Sequence, residues 1–314
     1  MVFKKLLGAF GVGGPSVDTV LANPNTRPGL TLDGQIHILG GDHAVNIDQV
    51  ALGLVTRVEV EGGDASYDST VEFHRIAVAG AFPLGAGERK DIPFSFPVPW
   101  EAPVTDVYGQ RLRGMTMGLR TELAVARAVD KGDLDAVHVH PLPAQERILD
   151  AFNGLGFRFK SADLERGRIH GVNQTLPFYQ EIEFWPAPQY AGAINEVELT
   201  FVADQRGVEV ILEFDKRGGL FAGGHDAFGR FRVEHATVDQ TDWASVVDGW
   251  VRQASDRYSA FRSSHGTHGG HHGHGRGMGA GAVIAGAGAG LLGGMVLGEA
   301  MEDVFEGDFG DFGE

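Results

Sequence analysis

Residues 29–63 read GLTLDGQIHILGGDHAVNIDQVALGLVTRVEVEGG. Apolar and polar residues alternate along both runs, β-branched side chains are frequent, and Gly40-Gly41-Asp42 interrupts the pattern in the middle. A period of two sorts side chains onto the two faces of an extended strand, so the stretch predicts two strands joined by a turn, each with one buried face. The glycines supply the left-handed backbone that a tight antiparallel connection needs.

The same signature extends outward. STVEFHRIAVAGAFPL, RKDIPFSFPVP and GLRTELAVARAVDKGD continue it to about His138, with Gly62-Gly63-Asp64, Gly85-Ala86-Gly87 and Gly132-Asp133 as further turns. Helical periodicity is missing here, so residues 1–142 are expected to form an antiparallel β-sandwich. PAQERILDAFN breaks the alternation: Pro143 opens a helix, Ile148, Leu149 and Phe152 share one face, and Asn153-Gly154 ends it, which gives a bridging helix over 143–154. Strand patterns resume in LGFRFKSADLERGRI, LPFYQEIEFWP, INEVELTFVADQRG, VEVILEFDKRGG and RFRVEHATV, predicting a second sandwich over 155–240. Thr241 or Asp242 then caps an amphipathic helix over 241–262, whose stripe of Trp243, Val246, Val247, Trp250, Val251, Ala254, Tyr258 and Phe261 must bury itself, most simply against that second sandwich. The expected fold class is therefore all-β, two tandem antiparallel sandwiches with two helices, followed by a biased tail.

Composition narrows the function. The 314 residues carry Lys+Arg 26 against Asp+Glu 42, a net charge of -16 that repels phosphate backbones and anionic headgroups, so no nucleic-acid partner is expected. With no cysteine there is no disulfide framework, thiolate metal site or cysteine nucleophile, and an intracellular compartment is the simplest reading. Lys4 and Lys5 precede an uncharged run, superficially like a secretory signal. That run is rich in glycine and lacks a convincing cleavage site, so a short docking or surface segment is preferred.

Several separated segments, in order, resemble one family. VDTVL, PGLTLDGQIHILGG, VALGLVTRVEV and IPFSFPVPWEAPVT in the first half, with QERILDAFNGLGFRFKSADLERGRI, LPFYQEIEFWP, INEVELTFVA and VILEFDKRGGLF in the second, are similar to the bacterial SpoOM family of sporulation-control proteins over roughly residues 1–262. The resemblance implies an arrestin-like fold, a cytoplasmic regulatory role exercised through protein partners, and no catalytic site or cofactor. It does not reach the tail.

Chemistry-bearing motifs are few. His138 and His140 in VHVHP share one strand face, a spacing used by metal sites, but no further ligand stands at a diagnostic spacing, and a solvated strand face is the expectation. Glu181 and Glu183 alternate with Ile182 and Phe184, as on a half-exposed strand. The nucleophile elbow and the phosphate loop are both missing from the sequence. Gly288-x-Gly290-x-x-Gly293 mimics a dinucleotide turn, but too little chain follows it to complete a parallel βαβ unit.

The tail divides into three. In a linker over 263–276, His265, His268, His271, His272 and His274 are dense enough for loose chelation of Zn²⁺, Ni²⁺ or Cu²⁺, and equally suit a polar spacer that gains charge below about pH 6.5. Residues 277–298 carry no charge and place Gly286, Gly290, Gly294 and Gly298 on one helical face, a glycine zipper compatible with self-association or a membrane segment. Nine of those residues are glycine, so a lone helix is unstable in water and a disordered segment is the third option. The acidic stretch 299–314 spaces Phe305, Phe309 and Phe312 among its acids, as in a segment that docks rings into a partner or simply solubilises the chain. The sequence thus points to a cytoplasmic, non-enzymatic regulator or scaffold binding other proteins, with a membrane-tethered adaptor or stress-envelope protein, anchored or made a homo-oligomer by the glycine zipper, as the alternative.

Overall fold

The computed structural model describes residues 13–62, 65–192, 194–214 and 229–265. The first half contributes β1 (Ser16–Leu21), β2 (Asn25–Thr26), β3 (Thr31–Leu39), β4 (Val45–Gly62), β5 (Ala65–Ala79), β6 (Phe82–Leu84), β7 (Arg89–Pro97), β8 (Asp106–Val107), β9 (Gln110–Arg111), β10 (Met117–Val125), β11 (Lys131–Ala136) and β12 (His138–Val139). The second contributes α1 (Pro143–Gly154), β13 (Arg158–Arg166), β14 (Phe178–Trp185), β15 (Val197–Ala203), β16 (Gly207–Phe214), β17 (Gly229–Glu234) and α2 (Trp243–His265).

The stretch 29–63 becomes β3 and β4, which enter different sheets. β3 lies between β1 and β7 in a three-stranded sheet, whereas β4 pairs with β10 on one side and with β5 and β6 on the other. Leu32, Ile36 and Ile38 of β3, with Phe94 and Phe96 of β7, face Val50, Leu52 and Leu54 of β4 and Leu119 and Leu123 of β10. The first half is thus an antiparallel sandwich, and burial of those alternate residues holds its two sheets together.

The second half differs from the expected tandem arrangement. Strands β13 to β17 follow one another in antiparallel order. β13 also meets β4 in parallel at Glu165 and Glu59, so one ten-stranded sheet runs through both halves. Among the described residues the inner face of β13 to β17 is covered by helices instead of a second sheet. Ile148 and Phe152 of α1, with Val247 and Val251 of α2, pack on Ile182, Leu199, Val210 and Leu212. Both helices lie where their apolar spacing places them. Asp242 caps α2, its carboxylate accepting from the Ser245 amide at 3.3 Å and the Ser245 hydroxyl at 2.7 Å. Trp250 stacks on Phe231 with ring centroids 4.7 Å apart.

The expected turn at Gly132-Asp133 is displaced. Both residues lie inside β11, paired with β10, and the chain reverses at Arg127, whose φ is 59°, while the Asp130 carboxylate accepts from the Val125 amide at 3.1 Å. An acidic side chain bonding back to the backbone performs the turn that glycine was expected to make. At the junction of the halves Gly114 has φ 94°, and a Cβ there would stand 2.3 Å from the Ala162 carbonyl oxygen, so only glycine lets this loop lie against β13.

Candidate interaction surface

β5 is an edge. It hydrogen-bonds to β4 and, among the described residues, to no second strand. A strand of 15 residues presenting one side of its backbone is a template for an incoming extended chain. Two register shifts, at Val50/Ala51 and Leu54/Val55 of the partner strand, bend it. The second places Phe73 as the extra residue between Glu72 and His74. His74 turns inward, hydrogen-bonds the Pro97 backbone and lies edge-on to Phe96 at 5.2 Å, and burial pushes its imidazole below the usual histidine range. On the outer face Arg75 reaches both Glu72 and Glu122, and Arg120 reaches the same two carboxylates. Gly53 beneath leaves room for this lattice, since a Cβ there would meet the Glu72 carboxylate at 2.4 Å. Arg75 holds Glu122 below its ordinary carboxylate range. Beyond this lattice, Ala77 is exposed along the edge.

The junction between the halves is stitched by side chains. Gln180 accepts from the Val104 amide at 3.0 Å and donates to the Val104 carbonyl at 2.7 Å. The Glu101 carboxylate accepts from the Thr175 amide and hydroxyl and the Leu176 amide at 2.8–3.0 Å. Trp100 stacks on His235 at 5.6 Å. Val58, Val104, Val107, Leu112 and Met115 of the first half sit in the core of the second, so the halves share apolar packing as well as polar bonds.

His138 and His140 do not form a shared site. His138 Nδ1 lies 3.2 Å from Asp106, which also accepts from the Thr105 hydroxyl at 2.6 Å, and His140 Nε2 lies 2.9 Å from the Asn25 side-chain oxygen. The expectation of a solvated strand face is corrected for His138, which partners a buried carboxylate. Burial alone would raise Asp106, but His138 and Thr105 outweigh it and hold the carboxyl low.

Glu181 also departs from a half-exposed strand face: it is buried and belongs to two acidic groups. Asp163, Glu165 and Glu181 form one, and Glu181, Glu198 and Glu213 the other; within each, ligand oxygens lie within 4.8 Å of one another, close enough to hold a cation. Every one of these carboxylates already has a partner. Burial and the adjacent Glu181 and Glu165 push the Tyr179 phenol up, so it stays a donor, bonding Glu165 at 3.0 Å. The signal for this cluster was an acid on the same face of each strand in SADLER, QEIEF, NEVEL and VILEF, visible only once the strand register is known.

His265 closes α2, but its side chain lies outside the described residues. So do His268, His271, His272 and His274, the glycines 286, 290, 294 and 298, and Phe305, Phe309 and Phe312. Among the described residues no helix is long and apolar enough to cross a membrane.

Residues 3–218 match the family model described as SpoOM protein. The chain is 34% identical over 216 residues to the sporulation-control protein Spo0M of Bacillus subtilis (strain 168), spanning 68% of this chain and 81% of that protein. The crystal structure of Spo0M from Bacillus subtilis superposes with a TM-score of 0.69 at 29% identity, covering 77% of this chain and 100% of that one.

Proposed function

The chain belongs to the SpoOM protein family, and from that premise we propose that it is a non-enzymatic, cytoplasmic regulator with an arrestin-like body that binds partner proteins. The observation that carries this reading is the β5 edge, 15 residues long and paired on one side. Capture of an extended segment there needs backbone hydrogen bonds and side-chain pockets, with no reaction chemistry. The test is affinity isolation of the full chain from its own cells beside Ala77→Lys, which places a charge on the exposed edge. A partner retained by the native chain and lost by the variant supports the reading; identical recovery from both contradicts it.

A second reading, attachment to a membrane through residues 277–298, is favoured by that uncharged stretch beginning a dozen residues after α2 ends. In it the body remains a partner-binding adaptor and the glycine zipper sets its location or assembly. Fractionation of cells into soluble and membrane pools separates the two.

A further inference from the structure

Among the described residues β1 and β11 are end strands of two different sheets, and they lie against each other along one open margin of the first sandwich. Packed sheets stand about 10 Å apart, too far for backbone pairing, so side chains must join them. The Asp133 carboxylate of β11 accepts from the Thr19 amide of β1 at 2.6 Å. The hydroxyls of Thr19 and Thr121 share a second buried bond of 2.6 Å. Thr19 thereby fastens β1 to the opposite sheet.

Asp135 stands two residues along the same face of β11, opposite Leu119 of β10 as Asp133 is opposite Thr121. Its Oδ2 is closed off from solvent and has no hydrogen-bond partner among the described residues. A carboxylate oxygen buried without a donor lies in a site that favours the neutral acid. The charged groups around it do not reverse this. β1 contributes the exposed Asp18, and β11 contributes Asp133 and then Lys131, which has an interaction of its own. Arg120 and Glu122 of β10 point to the other face, where they meet Glu72 and Arg75. On β3, His37 is the cross-strand neighbour of Asp18 and bonds Asp91 at 2.7 Å. Burial, with Asp133 and Asp18, pushes the Asp135 carboxyl up to about 8, and burial raises Asp133 as well.

We propose that this seam is a proton-operated clasp: β1 stays docked on β11 while Asp135 is protonated and swings away when Asp135 ionises. Ionisation sets two like charges side by side on one strand face, one of them with an oxygen that no donor reaches. Parting β1 from β11 lets water solvate both carboxylates, which offsets the loss of the Thr19 bonds. A raised carboxyl holds its proton below its folded value, so the clasp is closed below about pH 8 and open above it. Opening uncovers β11, the end strand of the ten-stranded sheet.

The full chain contains no cysteine, so introduced cysteines take spin labels without competition. Val20 on β1 and Val129 on the turn before β11 are 50% and 76% exposed, and Val20→Cys/Val129→Cys places one label on each side of the seam. The distance between them is measured by double electron–electron resonance from about pH 7 to about pH 9.5. The expected result is one short, narrow distance at the lower end, replaced by a longer and broader population with its midpoint near pH 8. Adding Asp135→Asn, or Asp135→Ser, should keep the short distance throughout. A distance that does not change with pH overturns the proposal, and so does the same transition in both of those variants. Near-ultraviolet circular dichroism is followed on the same samples. A signal that survives the transition places the change at the seam, whereas its loss at the same midpoint marks global unfolding and overturns the clasp.

Discussion

Gln180 and Val104 are joined twice by one amide: Gln180 Oε1 accepts from the Val104 N–H at 3.0 Å while its Nε2 donates to the Val104 carbonyl at 2.7 Å, both within the protein interior. A side chain here does what a neighbouring strand would do, fastening the loop after β7 to the second sheet. Replacing Gln180 with leucine leaves a buried donor and acceptor unmatched, at a cost of about 2 kcal/mol. Urea unfolding measures it, and a change below about 0.5 kcal/mol would mean that water satisfies Val104.

His138→Ala removes the partner of a carboxylate that is 8% exposed, so it should destabilise by about 1–2 kcal/mol, whereas His140→Ala, whose ring bonds an exposed Asn25, should stay within about 0.5 kcal/mol. Thermal unfolding of the two single variants distinguishes them. Equal effects would contradict the assignment of Asp106 as the partner that matters.

Trp250→Ala should cost about 2 kcal/mol, below the roughly 3–5 kcal/mol for a fully buried aromatic side chain, because Trp250 is only half-buried although it stacks on Phe231. The fully buried Val247 and Val251 carry the helix stripe. A shift of a few tenths in the unfolding free energy would make α2 peripheral to the second core.

The stability contributed by Asp133 and Asp135 should fall as pH rises from about 4 to about 8. Burial, with Asp133 and Asp18 nearby, pushes the Asp135 carboxyl up to about 8. Asp133 is raised as well, chiefly by burial, and accepts from the Thr19 amide at 2.6 Å. A carboxyl with a higher pKa when folded binds more protons folded than unfolded, so the stabilising proton is lost between its unfolded value, near 3.9, and its folded one. Asp135→Asn should flatten this part of the profile and raise the melting temperature above pH 8. An unchanged slope would show that the seam between β1 and β11 does not sense the charge.

Legibility followed the range of the interaction. Alternation in 29–63 and the spacing of Ile148 and Phe152, or of Val247 and Val251, report local periodicity, and these elements form where periodicity places them. Turns were less secure because Asp130 and Arg127 replace the expected Gly132. The joining of β13 to β4 through Glu165 and Glu59, and the clustering of Glu181, Glu198 and Glu213, depend on which strands become neighbours. No local pattern encodes that choice. The free side of β5 was hidden for the same reason, since an edge exists only by what fails to pair with it.

The most direct test of partner capture at this edge is photo-crosslinking in cells with a photoreactive residue at Ala77, compared with one at Val129, which is 76% exposed on the turn between β10 and β11. The account predicts a discrete adduct from position 77 and none from position 129. Absence of an adduct at 77, or the same products from both positions, would contradict it.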